Sequence, residues 1–251
     1  MNRRIEMSKT CIIALTALAC LAKQAVFAQS PAYTDDEVKA QFVKAGMFCH
    51  ADFIRGGYRL AFEMADGDTN RYARILRELA VENTNETEWA IASLGKYKTS
   101  QSLPFLYSYA TNAVYGAKAL KAVFAIEGVN SNSVAATCGY LTVTNAFTQQ
   151  MDYDRSDVCE WLLKEVSTSP SLAYLKPSCL NAAVDYAQNI SIMHKSLDGA
   201  ICAADPTYRH SKRRLAVMRS AQNRCWNPML TNYVTNAINE LVAYPEANLP
   251  D

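Results

Sequence analysis

No Cys-x-x-Cys pair occurs in the 251 residues, which removes a thioredoxin-like redox site and most structural zinc sites. The chain also has no His-Glu-x-x-His, no Gly-x-Ser-x-Gly elbow, no phosphate-binding loop and no dinucleotide fingerprint, so no cofactor or metal is implied. Histidine is scarce: His50, His194 and His210 are the whole set, and none stands in a ligand motif. His194 reads as a surface or boundary histidine. The nine glycines stand singly at predicted turns, except Gly56-Gly57, which reads as a hinge between helices. No apolar run reaches the ~20 residues of a membrane-spanning helix.

What is present begins at the N-terminus. Arg3, Arg4 and Lys9 precede an apolar stretch from Cys11 to Ala22, and Val26 and Ala28 hold small-residue positions before Gln29. This is the pattern of a secretory signal peptide over residues 1–28, cut near Ala28, and it predicts a periplasmic or extracellular protein. Two rival leaders have residues in their favour. Ala17-Leu18-Ala19-Cys20 resembles a lipoprotein box that would anchor the chain through Cys20, and Arg3-Arg4 resembles a twin-arginine signal. Ala17 where a Leu is usual, and Glu6 where an apolar residue is usual, favour the ordinary leader.

Cleavage would remove four of the 25 basic and one of the 24 acidic side chains, leaving a charge near −2. That balance excludes a general nucleic-acid binder, which carries a basic excess. Six cysteines would remain: Cys49, Cys138, Cys159, Cys179, Cys202 and Cys225. Exported thiols can pair, in any of 15 ways for six, or serve as small apolar core residues. The C-terminal four, Cys159, Cys179, Cys202 and Cys225, are the expected source of a bridge.

The rest, residues 29–251, is predicted to be one all-α domain. Thr34-Asp35-Asp36-Glu37 is a capping box, followed by Val38, Phe42 and Ala45 on one face. Tyr72, Ile75, Leu76 and Leu79 form the next stripe. A helix after Asn85 carries Trp89, Ala92 and Leu94 and is expected to stop at Gly95. Pro104 sits in the first turn of a helix bearing Leu106 and Tyr107, and another runs from Ala119 to Gly128. Ser156, Ser178 and Ser211 are placed to cap later helices. The last stripe, Leu230 to Val242, keeps its spacing almost without fault before Pro245. Tyr140–Thr144 and Ala187–Met193 have some strand character, but with no neighbouring strands to pair with they read as helix.

Within residues 85–145 two stretches share a layout, with Ser102-Leu103 falling on Ser133-Val134. Trp89-Ala-Ile-Ala-Ser-Leu-Gly95, Ser102-Leu-Pro-Phe-Leu106 and Ala117-Lys-Ala-Leu-Lys-Ala-Val123 resemble the short signature of HEAT-type helical repeats. The resemblance implies antiparallel helix pairs in an α-solenoid or irregular bundle, offering an extended binding surface with no shared active site.

Candidate chemistry is thin. Cys49-His50-Ala51-Asp52 holds three ligand types, but neighbours on a helix diverge by about 100°. Asp152, Asp154 and Asp157 lack the glycine and final glutamate of a calcium loop. Asp35-Asp36-Glu37 suits a helix N-terminus. Tyr97, Tyr107, Tyr109 and Tyr115 crowd the repeat-like region and could stack on a ligand. Arg209, Arg213 and Arg214, in the run Arg209–Arg214, make the strongest charge asymmetry and suit an acidic partner. These residues together predict an exported module that binds a protein or polymer partner and carries no catalytic residues. The alternative is an envelope hydrolase whose acids converge from separate helices.

Overall fold

Thr34 begins the fold as its sequence predicts. Its Oγ1 accepts from Glu37 N and its N–H donates to Glu37 Oε2 at 2.8 Å, closing the capping box of α1, Asp35–Gly46. A computed structural model describes residues 32–47, 51–143, 149–190, 194–224, 227–243 and 249–250. The leader with Cys20, and Cys49, His50 and Cys225, lie outside the described residues. Among the described residues there are α-helices, short 3-10 turns and no strand, so the all-α expectation holds.

The chain divides into two compact units, one up to Gly67 and one from Asp68, where the sequence suggested a single domain over 29–251. In the first, α1 packs on α2, Ala51–Met64, with Phe42 and Tyr58 stacked at 4.4 Å between ring centres. Gly56-Gly57 is no hinge: both residues lie inside α2. Gly57 instead permits close contact, since a Cβ there would stand 2.5 Å from Ala45 Cβ. The pair was misread because glycine breaks helices only on average and is also favoured where two helix backbones nearly touch.

The second unit runs α3 Thr69–Glu82, α4 Thr87–Tyr97, α5 Leu103–Tyr109, α6 Gly116–Glu127, α7 Ser131–Leu141, α8 Gln149–Thr168, α9 Lys176–Asn189, α10 Lys195–Ala204, α11 Lys212–Gln222 and α12 Pro228–Val242. Successive helices pair: α3 with α4, α5 with α6, α7 with α8, α9 with α10, α11 with α12. Alternate helices also stack, α4 on α6, α6 on α8, α8 on α10, and likewise α7 on α9 and α9 on α11. Helices therefore meet their neighbours in sequence, as an array of antiparallel pairs requires when the connections are short.

Two turns of this array are built alike. Asn83 Oδ1 accepts from Asn85 N before α4, and Asn112 Oδ1 accepts from Val114 N and Tyr115 N before α6. Gly128 ends α6 at φ 75° as expected, but α4 does not stop at Gly95. It continues to Tyr97, and the left-handed cap is Lys98 at φ 51°. Gly95 lies in the helix interior, where a Cβ would meet Ala122 Cα at 2.8 Å, so its role is to let α4 approach α6.

Some faces and starts differ from expectation. Trp89 is 43% exposed and Ala92 is also outside; Ala90, Ile91 and Leu94 form the buried stripe. Ser178 caps nothing, because α9 already starts at Lys176 with Pro177 in its first turn. Ser156 lies inside α8, buried against Tyr186. Helix continues through Leu141 and through Asn189, as predicted for the two strand-like stretches; positions 144 and 191–193 lie outside the described residues. Among the described residues one core cluster joins α7 through α12 and includes Leu162, Leu163, Ile201, Met218 and Leu241, all buried.

Candidate functional site

The basic run resolves into three different environments, and Ser211 is the reason. Its Oγ accepts from Arg214 N at 3.2 Å and donates to Tyr208 O at 2.9 Å, fixing the first turn of α11. With that turn fixed, Arg213 projects outward and Arg214 inward.

Arg214 is not available to a partner. Its Nη2 donates to Asp198 Oδ2 at 2.9 Å and its Nε to the same carboxylate at 3.2 Å, while Nη1 donates to Arg209 O at 2.9 Å. Tyr233 donates its hydroxyl to Asp198, and Glu240 approaches Arg214 at 3.8 Å. Burial alone would lower the Arg214 guanidinium; its hydrogen bonds to the Asp198 carboxylate, with that group's negative charge, outweigh it and hold the group above its ordinary range. The sequence-level candidacy of Arg214 thus becomes an internal ion pair. Arg209 is exposed, and its charge acts on the Cys202 thiol against the burial that raises it.

Arg213 lines an open cleft of about 430 Å³. Its lining includes Lys176, Pro177, Leu180 and Asn181 of α9, Ala204 at the end of α10, and Asp205 and Pro206 just after it. Arg213 Nη1 donates to Asn181 Oδ1 at 3.1 Å, which sets the guanidinium at the rim. Asp205 turns one oxygen to Thr207, accepting from its N–H at 3.0 Å and its hydroxyl at 2.7 Å. The cleft therefore presents the Lys176 ammonium, the Arg213 guanidinium and the Asn181 amide beside the apolar Pro177, Leu180 and Ala204, a set that suits a carboxylate or phosphate. Lys176 and Asn181 escaped the sequence reading. They face Arg213 only after α9 and α11 have packed together, and neither residue carries a motif.

The four tyrosines do not form one platform. Tyr109 meets Phe105 at 5.0 Å and Tyr115 at 6.1 Å between ring centres, and Tyr115 donates its hydroxyl to Thr84 O at 3.1 Å. Phe105 continues from this pair into a shallow groove with Arg77, Val81, Glu82 and Pro104. Tyr107 instead bonds Glu127 and packs towards the α6 core, and Tyr97 sets its edge on Tyr72 at 5.0 Å.

Carboxylates do not face one another across the described clefts. Glu78 and Glu82 line the Phe105 groove from a single helix, and Glu78 is paired with Arg74 at 2.9 Å. Asp157 borders a smaller cavity of about 330 Å³ beside Phe124 and Trp161, and pairs with Lys121 at 3.4 Å. Asp152 is buried, its backbone carbonyl accepting from the Tyr186 hydroxyl at 2.9 Å.

His194 is a buried residue and not a boundary one. It is 5% exposed, its ring edge meets Tyr153 at 4.2 Å, and burial lowers its pKa against the opposing pull of Asp152 and Asp157. Nearby, Arg155 Nη2 donates to the carbonyls of Tyr140, Leu141 and Val143, closing the C-terminal end of α7. Among the described residues no cluster of three or more His, Cys, Asp or Glu side chains is arranged to hold a metal ion, and no helix is long and apolar enough to cross a membrane. Comparison with known proteins yields no match to a family model, to a curated protein or to a solved structure.

Proposed function

We propose that the chain is an exported helical-repeat module that binds a macromolecular partner through an acidic segment of that partner, and performs no catalysis. The observation that carries this reading is the cleft in which Lys176, Asn181 and Arg213 converge. Two cations and an amide outnumber the one acid of the lining, Asp205, and favour carboxylate or phosphate groups, while the apolar Pro177, Leu180 and Ala204 beside them suit the side chains between such groups. The leader-like residues 1–28 support export, and the HEAT-like fragments within residues 85–145 support a binding role, since such arrays serve as platforms.

The test uses the full chain and poly-glutamate as a defined acidic probe. Titration is expected to show binding that weakens as salt rises, and Lys176→Glu with Arg213→Glu is expected to reduce affinity at least tenfold. Equal affinity in the double variant and the native chain rejects the cleft as the docking site. Intact mass of the protein recovered outside the cytoplasm tests export separately, with a chain beginning near Gln29 expected.

A further inference from the structure

α7 and α9 pack against each other, and this contact joins two thiols that the sequence did not pair. Cys138 on α7 is half-buried and rests on the core cluster that contains Cys179 of α9. The two thiols act on each other's ionisation, Cys179 lowering Cys138 and Cys138 raising Cys179. Val134 and Leu141 on α7, and Ala183 and Val184 on α9, belong to the same cluster, so packing on both sides holds the two helices in place around the pair.

The other described cysteines are placed differently. Cys159 is sealed in the core on α8, and burial pushes its thiol up. Cys202 on α10 is also buried, and burial raises its thiol. All four described cysteines are free thiols in this structure, including Cys159, Cys179 and Cys202, from which a bridge was expected.

We propose that Cys138 and Cys179 form a redox-active dithiol that closes to a disulfide bridging α7 and α9. The reaction is thiol–disulfide exchange with a disulfide donor such as oxidised glutathione. Cys138 is the entry point because it is the more exposed of the two, and the neighbouring Cys179 thiol favours its thiolate. Its sulfur attacks one donor sulfur, the donor S–S bond breaks, and one thiolate leaves. Cys179 then attacks the Cys138 sulfur of the mixed disulfide and expels the second donor thiolate. The two protons lost by the cysteines pass to the two leaving thiolates. The protein dithiol is oxidised by two electrons, and the donor disulfide is reduced to two thiols.

Trypsin separates the relevant residues cleanly: Cys138 falls in 122–155, Cys159 in 156–164, Cys179 in 165–195 and Cys202 in 196–209. The full native chain is incubated with oxidised glutathione, blocked with an alkylating reagent, digested and mapped by mass. The expected product is the 122–155 peptide joined to the 165–195 peptide and lighter by two hydrogens than the separate pair, with Cys159 unjoined. Cys159→Ser is expected to leave this crosslink in place, and oxidation in denaturant is expected to scatter the pairing. A map in which Cys138 and Cys179 stay separate, or in which either joins another cysteine in the folded chain, overturns the proposal.

Discussion

Arg214 and Asp198 face each other almost out of contact with water, with 7% and 1% of their side chains exposed and two guanidinium nitrogens on one carboxylate. Neither charge has a solvent route if its partner is removed. Arg214→Met is therefore expected to destabilise the fold by roughly 3–5 kcal/mol, because it leaves a buried carboxylate facing only the Tyr233 hydroxyl. Combining it with Asp198→Leu is expected to recover much of the loss, since two apolar groups need no compensation. Urea midpoints of the single and double variants separate these cases; a single variant within about 1 kcal/mol of native (roughly a fivefold change in the folding constant) would show that the pair is dispensable.

Gly56 and Gly57 are adjacent, yet alanine should act on them in opposite directions. A Cβ at Gly57 collides with Ala45 at 2.5 Å, whereas at Gly56 it meets nothing within 4 Å. Gly57→Ala is expected to cost about 1–3 kcal/mol by forcing α1 and α2 apart. Gly56→Ala is expected to stabilise by about 0.5–1 kcal/mol through helix propensity alone. Thermal melts of both variants suffice, and the same sign for both would contradict the packing described for these helices.

The same glycines show where a linear pattern stops being informative. Thr34 and Ser211 are legible because their partners lie within one turn of the same helix; of the final stripe Val234, Ala237 and Leu241 are buried, while Val242 is exposed. Trp89, Ala92 and Leu94 suggest one face of α4, but the face that meets α6 is chosen by Ala90, Ile91 and Leu94. Ser178 resembled a cap, yet Pro177 had already fixed the helix start. The basic run was visible as charge, while its division into the inward Arg214 and outward Arg213 depended on Asp198, which lies on α10. Lys176, Asn181 and the Cys138–Cys179 pair carry no local signal, because contacts between separate helices create them.

His194 links burial to pH. Its folded pKa lies below the ordinary value near 6.5, so below that value the unfolded chain holds more protons than the folded one. The contribution of His194 is thus fully present above pH 6.5 and is lost as pH falls through the lowered folded value. The opposing acids, Asp152 and Asp157, reduce this loss without reversing its direction. Urea unfolding of the native chain at pH 7.5 and pH 5.5 is compared with the same pair for His194→Phe, which keeps an aromatic ring against Tyr153. The native chain is expected to lose more stability than the variant across this interval. An identical loss in both would assign the pH dependence to other groups, and a larger loss in the variant would reverse the sign argued for this histidine.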